Sequence, residues 1–395
     1  MNLPFSSLTL LRSTPYAAFA ALSLAATALP SPAAAQYAQT NLVSSVPGLA
    51  AITDPRLVNP WGLSRTGTSP FWTSNQGTNT STLYAITGAT SVSQVLGVNA
   101  NGFVGIPTTP TGPQGPTGQV ANGNAASFLI GGASSRFLFA DLNGTISGWT
   151  PGALTSSIQV STPNAVYTGL AIDTAGTRLY AADSAGGKID VFNSSFASIA
   201  QVGAFTDPTL PSGFVPFNVQ DIGGKVYVTY APAGLGPQRN AAPGAGFVNV
   251  FDENGNFLQR LISGNQLAAP WGLALAPVGF GEFGGDLLVG NFSFANSMIN
   301  AFDPVTGAFE GSIAINVGAG NTPGGLWGLM FGSGGGSGGD ANTLYVLDGI
   351  NGETAGLFLA VTAVPEPEIL ALLGVGLGAV AWRRRRAQPS RRSAG

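Results

Sequence analysis

Three acids, Asp141, Asp183 and Asp348, close short apolar runs, and Asn75 and Asn291 close two more. Carried to one face of a ring, these oxygens would suit a hard cation such as Ca2+ or Mg2+. The chain has little else to offer a metal, because it contains no Cys and no His. The same absence excludes disulfides, thiolate nucleophiles, Cys/His zinc sites, Ser-His-Asp triads and imidazole bases. The competing reading makes each acid a turn cap that accepts hydrogen bonds from nearby backbone N–H groups. Asp141, Asp183 and Asp348 therefore stand as metal candidates only; no cofactor is expected, with Ca2+ the one to test. The run Asp252-Glu253-Asn254-Gly255-Asn256 lacks the spaced carboxylates and final Glu of a calcium loop and reads as a hairpin turn. Glu253, Glu282, Glu310 and Glu353 fall in or near turns, and no acid pair stands out for glycoside hydrolysis. No glycine run leads into Lys-Ser/Thr and a helix, as a phosphate loop would. Trp61, Trp72, Trp149 and Trp271 would stack on sugar rings if exposed, but core packing is the simpler reading. No catalytic residue is assigned.

A repeated strand unit would position these groups. Its clearest copy runs through 167–173, 178–183, 188–192 and 199–202, four short apolar segments separated by turn residues. Other copies open at 59–63, 270–274 and 326–329, where Trp61, Trp271 and Trp327 each precede a glycine; weaker openings lie at 126–130 and 216–219. The second segments end at Asn75, Asp141, Asp183, Tyr230, Asn291 and Asp348, 42 to 66 residues apart. A four-stranded blade takes about 40–50 residues. The excess lies in a proline-spaced stretch over 99–124, a loop over 232–246 and a Gly/Ser run over 332–339. The expectation is an all-β fold, a six-bladed β-propeller of four-stranded blades. Gly62, Gly272 and Gly328 would sit on crowded inner strands, with the tryptophans packing between blades. The last unit shows only three strands, at 326–331, 343–347 and 356–361. An open sheet edge is a liability, so 38–44 is expected to supply its outer strand, while 332–339 is expected to be dispensable.

Composition supports a packed β protein and narrows its partners. Of 395 residues 44% are hydrophobic and only 8% charged, against roughly 25% in an average chain. The overall charge of −3 averages two opposed regions: residues 36–363 hold eight basic and sixteen acidic groups, while the last 13 residues hold six arginines. An acidic body repels phosphate backbones, so no nucleic-acid partner is expected.

Both ends read as targeting segments. Residues 1–35 have the pattern of a signal peptide, with Arg12, an apolar run, and small residues from Ala33 to Ala35 that place cleavage before Gln36. The body spans 36–363. The tail, 364–395, contains Val364-Pro365-Glu366-Pro367, an apolar run over 369–382, and Arg383-Arg384-Arg385-Arg386 opening a basic end. The run would make a helix of about 21 Å at ~1.5 Å per residue, short for a hydrocarbon core of about 30 Å. Four arginines hold that end on the cytoplasmic side. The expected anchoring is transient.

In the order of its parts this tail resembles the PEP-CTERM sorting signal of Gram-negative bacteria. That resemblance implies an exosortase-type protease as partner, export across the inner membrane, and a cell-surface or extracellular destination, with membrane anchoring before processing. The body, on Thr40-Asn41-Leu42-Val43, Thr53 through Leu63, and Phe71-Trp72-Thr73-Ser74-Asn75, is similar to an exported bacterial family without assigned catalytic residues. The function expected is a non-enzymatic propeller that binds exopolysaccharide or matrix proteins. Two alternatives are a calcium-dependent hydrolase, lactonase or lyase acting on matrix sugars, and a purely structural matrix component.

Overall fold

The computed structural model describes residues 36–96, 101–109, 112–264 and 266–364. The expected signal peptide and the tail from Pro365 onward, including the run over 369–382, lie outside them. No helix among the described residues is long and apolar enough to cross a membrane.

Six antiparallel sheets follow one another along the chain as blades of a propeller. Their inner strands are Pro60–Ser64, Pro116–Ala121, Tyr167–Ile172, Phe214–Ile222, Pro270–Leu275 and Leu326–Phe331. The second strands are Phe71–Asn75, Phe137–Asp141, Arg178–Asp183, Lys225–Pro232, Leu287–Asn291 and Thr343–Asp348. Inner strands are mostly buried, whereas outer strands such as Ser91–Gln94 and Phe309–Ala314 are largely exposed. Proline is tolerated as the first residue of a strand, and three inner strands begin with it.

In every blade the first ladder slips at the same place. Pro60, Pro116, Tyr167, Pro216, Pro270 and Leu326 pair with Asn75, Asp141, Asp183, Tyr230, Asn291 and Asp348, and the register shifts immediately afterwards. The residue in the shift is Trp61, Thr117, Thr168, Phe217, Trp271 or Trp327. A bulge re-aims a side chain, and here the large ones meet one another. Trp61 of the first blade stacks on Trp327 of the sixth at 3.6 Å between ring centroids and lies edge-on to Trp271 of the fifth at 6.2 Å. It also comes within 6.3 Å of Phe217 of the fourth blade. First and fourth blades are opposite in a ring of six, so these rings fill the axis. This corrects the expectation that the tryptophans pack between blades. Trp72 does so, stacking on Phe137 of the second blade at 4.0 Å.

The residue after each bulge is Gly62, Gly118, Gly169, Asn218, Gly272 or Gly328. A Cβ on Gly62 would collide with Thr117 O, on Gly118 with Leu170 N, and on Gly272 with Trp327 O, each in the next blade. Asn218 is the exception, and its amide donates to Trp271 O at 2.8 Å.

Three further expectations change. The second blade opens at Pro116–Ala121, not at 126–130. The latter region forms a small hairpin, Leu129–Ile130 with Ala133–Ser134, between first and second strands. The third blade has three strands, because the segment 199–202 is reduced to a Phe192–Ser198 bridge and one hydrogen bond from Ile199. The glycine run 332–339 is not a free loop: Ile86 N–H donates to Ser337 O and Gly339 N–H to Ile86 O, tying the sixth blade to the first.

The ring closes as expected. Tyr37–Ser44 runs antiparallel to Leu357–Ala363, from Tyr37 opposite Ala363 to Ser44 opposite Leu357, and Ile52–Thr53 adds a parallel pair outside it. Leu42 and Val43 are fully buried in this seam. Deleting 37–44 should destabilise the whole ring, since the edge of Leu357–Ala363 is then open; calorimetry should show wild type unfolding in one cooperative transition and the deletion without it.

The axial crowding gives a second expectation. Gly272→Ala should lower stability to urea by roughly 1–3 kcal/mol, the range for overpacking. Gly67→Ala, with nothing within 4 Å of the new methyl, should change it by less than about 0.5 kcal/mol.

Candidate functional site

The aromatic plug divides the axis. On the side away from the second-strand ends lies a cavity of about 230 Å3 between the inner strands. Its Gln119 amide already donates to Ser64 Oγ and Trp72 O, and Asn218 to Trp271 O. On the other side the loops after the second strands surround a cavity of about 530 Å3 with Trp61 in its lining.

Residues from three blades meet at its mouth. Arg239 ends the short helix Leu235–Arg239, carried by the 232–246 loop of the fourth blade. Glu353 closes the turn Ile350–Glu353 of the sixth. Asn59 precedes the inner strand of the first, and Gln76 follows its second strand. Arg239 pairs with Glu353, its Nε donating to Oε2 at 2.6 Å. Asn59 Nδ2 donates to Glu353 Oε1 at 3.2 Å and to Gln76 Oε1 at 2.9 Å, and its Oδ1 accepts from Trp327 Nε1 at 2.9 Å. The clasp thus rests on the plug. Burial raises the Glu353 carboxyl above its ordinary pKa, and Arg239 and Asn59 offset part of that rise.

The backbone under the clasp is strained. Asn59 has φ 45°, and Asn351, Gly352 and Glu353 have φ 57°, 64° and 69°. The left-handed region is costly for a side chain such as Glu, and such outliers concentrate at ligand sites. Two polar groups in the lining lack partners. Trp61 Nε1 is buried without a hydrogen bond, and Gln238, 5% exposed, makes no side-chain hydrogen bond among the described residues.

The strand-end acids stand elsewhere in this arrangement. Asp141 Oδ1 accepts from Gly115 and Asn143 N–H, and Asp183 Oδ1 from Val166 and Gly186 N–H. Each therefore ties its own turn to the segment leading into the inner strand. Among the described residues no three acids are placed to hold a metal ion, so Asp141, Asp183 and Asp348 are not brought into one cluster. Asp252 accepts from Asn254 and Asn256 N–H in a turn between third and fourth strands. Trp61, Trp72, Trp149 and Trp271 are all buried. Val364 donates its N–H to Gln36 O at 2.8 Å, beside the expected cleavage position. Ala33, Ala35, Pro365, Glu366, Pro367 and Arg383 to Arg386 lie outside the described residues. Asn59, Gln76, Gln238, Arg239 and Glu353 had no signal in the sequence: the ion pair joins positions 114 apart, and only the length of the 232–246 loop marked its region.

Asp348 differs from its counterparts. It is fully buried, neither carboxylate oxygen is in hydrogen-bonding geometry, and burial pushes its pKa up to about 8, with the nearby Gly324 N–H offsetting little. Between the ordinary carboxylate value near ~4 and about 8, the folded state keeps a proton that the unfolded chain has lost. This group's contribution is therefore full below about 4 and falls as pH rises to about 8. Asn occupies the matching position in the first and fifth blades. Asp348→Asn should gain stability over wild type as pH rises from 5 to 9 in urea unfolding, and a flat difference would contradict the assignment.

Comparisons with known proteins agree with this picture in part. The profile of the PEP-CTERM protein-sorting motif matches residues 363–386. "Uncharacterized protein R648" of Acanthamoeba polyphaga mimivirus is 32% identical over 273 residues, covering 66% of this chain and 66% of that protein. "Uncharacterized protein L690" of the same virus is 30% identical over 286 residues, covering 69% of this chain and 73% of that protein. Among solved structures, hydrazine synthase of Kuenenia stuttgartiensis covers 76% of each chain with 14% identity and a TM-score of 0.46, too distant to add to the fold read from the sheet order. The chain belongs to the family of L690, and behind its propeller it carries a PEP-CTERM sorting motif.

Proposed function

We propose that this protein is an exported, non-enzymatic binding module whose ligand enters the 530 Å3 cavity. The observation that carries this reading is the clasp of Arg239, Glu353, Asn59 and Gln76, built from three blades and held by strained backbone at Asn59 and Glu353.

The sorting motif supports export, and the expected signal peptide over 1–35 supports entry into the secretory path. An exosortase-type protease would then act at the tail, leaving the propeller at the cell surface or in the extracellular matrix of a Gram-negative host. The ligand would be matrix polysaccharide or a matrix protein. Binding is favoured over hydrolysis because Glu353 is the one acid among the described lining residues, and glycoside hydrolysis needs two carboxylates.

Intact mass of the mature protein should show that residues beyond the Pro365 motif have been removed; retention of Trp382 would contradict the sorting step. For the cavity, Arg239→Met with Glu353→Met removes both charges at once, which a buried site tolerates better than losing one. The double variant should melt within a few degrees of wild type, yet bind the host's matrix polysaccharide at least roughly tenfold more weakly, a loss of about 1.4 kcal/mol. Equal binding would place the ligand elsewhere.

A further inference from the structure

The cavity lining is ionically closed. Its charged groups among the described residues, Arg239 and Glu353, neutralise each other. The remaining polar groups are neutral: the amides of Asn59, Gln76 and Gln238, and the hydroxyls of Thr168, Ser184 and Thr354. Buried polar groups are nearly always satisfied, yet Trp61 Nε1 is buried without a partner, and the Gln238 amide in the same lining makes no side-chain hydrogen bond among the described residues and is left for solvent or a ligand. Apolar surface lies alongside, in Leu142, Val166 and the exposed Leu235. A volume of about 530 Å3 falls inside the roughly 300–1,000 Å3 of small-molecule pockets.

We infer that the cavity takes a neutral, hydroxyl-rich ligand with one apolar face, the chemistry of a short uncharged oligosaccharide. This rests on the cavity being the binding site proposed above. The Thr168, Ser184, Thr354, Asn59 and Gln76 side chains already donate within the protein, which leaves hydroxyl lone pairs to accept from ligand hydroxyls and the Gln238 amide to donate and accept, a match without net charge. A charged ligand would compete for Arg239 or Glu353 and leave the other partner unpaired, and Glu353 is almost buried. A peptide adding as a strand needs an open sheet edge, and the inner edges here are packed around the axis.

The test uses the full chain in mild detergent on a glycan array carrying neutral and uronic-acid-containing oligosaccharides. Titration of the hits follows tryptophan emission, since Trp61 lies in the lining. Neutral oligosaccharides should bind, change the emission, and keep their affinity when salt is raised. Gln238→Leu should weaken binding roughly tenfold. Leu235→Ser, at an exposed position, should keep the wild-type melting temperature within a few degrees and weaken binding roughly threefold. Preference for the uronic-acid glycans with salt-dependent affinity, binding of no glycan, or neutral binding unchanged in both variants would each overturn the inference. Conversion of a bound glycan into products would instead overturn the non-enzymatic reading while leaving the ligand class standing.

Discussion

Six inner strands converge on one axis, and at the closest approach five of them carry glycine, where a Cβ would crowd the next blade. This constraint organises the molecule. A methyl at Gly62, Gly118 or Gly272 would meet backbone of the next blade, so those blades close only on glycine, whereas in the fourth Asn218 takes the place with its amide donating to Trp271 O. The bulge immediately before it turns Trp61, Phe217, Trp271 and Trp327 inward, where they seal the axis that the missing side chains would otherwise leave thin. Aromatic pairs add about 0.5–1.5 kcal/mol each beyond their burial, so the plug is a substantial share of a marginal folding free energy.

The candidate site is built on that plug rather than beside it. Trp327 Nε1 holds Asn59, Asn59 holds Glu353 and Gln76, and Glu353 holds Arg239. Strain at Asn59 and Glu353 persists because the surrounding hydrogen bonds over-determine it. The cavity is floored by the rigid ring and roofed by the 232–246 loop, which Arg239 and Ser293 tie to the sixth and fifth blades, a placement common to binding sites on stable scaffolds.

The seam between the first and sixth blades is held by backbone pairing from both ends of the body. Tyr37–Ser44 and Leu357–Ala363 come from opposite ends of the body and pair along most of their length. The glycine run 332–339 crosses to Ile86 on the neighbouring blade. Val364 is still bonded to Gln36, so the sorting motif begins where the last ladder ends.

Much of this architecture was legible in the amino-acid order. Five of the second-strand ends, Asn75, Asp141, Asp183, Asn291 and Asp348, the Trp-Gly openings and the closing role of 38–44 follow from pattern, because period-two burial and glycine at crowded points are written residue by residue; the fourth blade's second strand runs past Tyr230 to Pro232. The opening at Pro116–Ala121 was not legible, since Thr117 and Gln119 stand where the first, fifth and sixth blades carry Trp and Leu; polarity there is met by Thr117 donating to Tyr167 O and Gln119 bonding back to the first blade. The direction of the tryptophans and the union of Arg239 with Glu353 were decided by tertiary structure alone. A side chain's aim depends on a bulge whose partner strand must first be in place. An ion pair across two blades depends on the ring's closure, which no stretch of sequence spanning either residue contains.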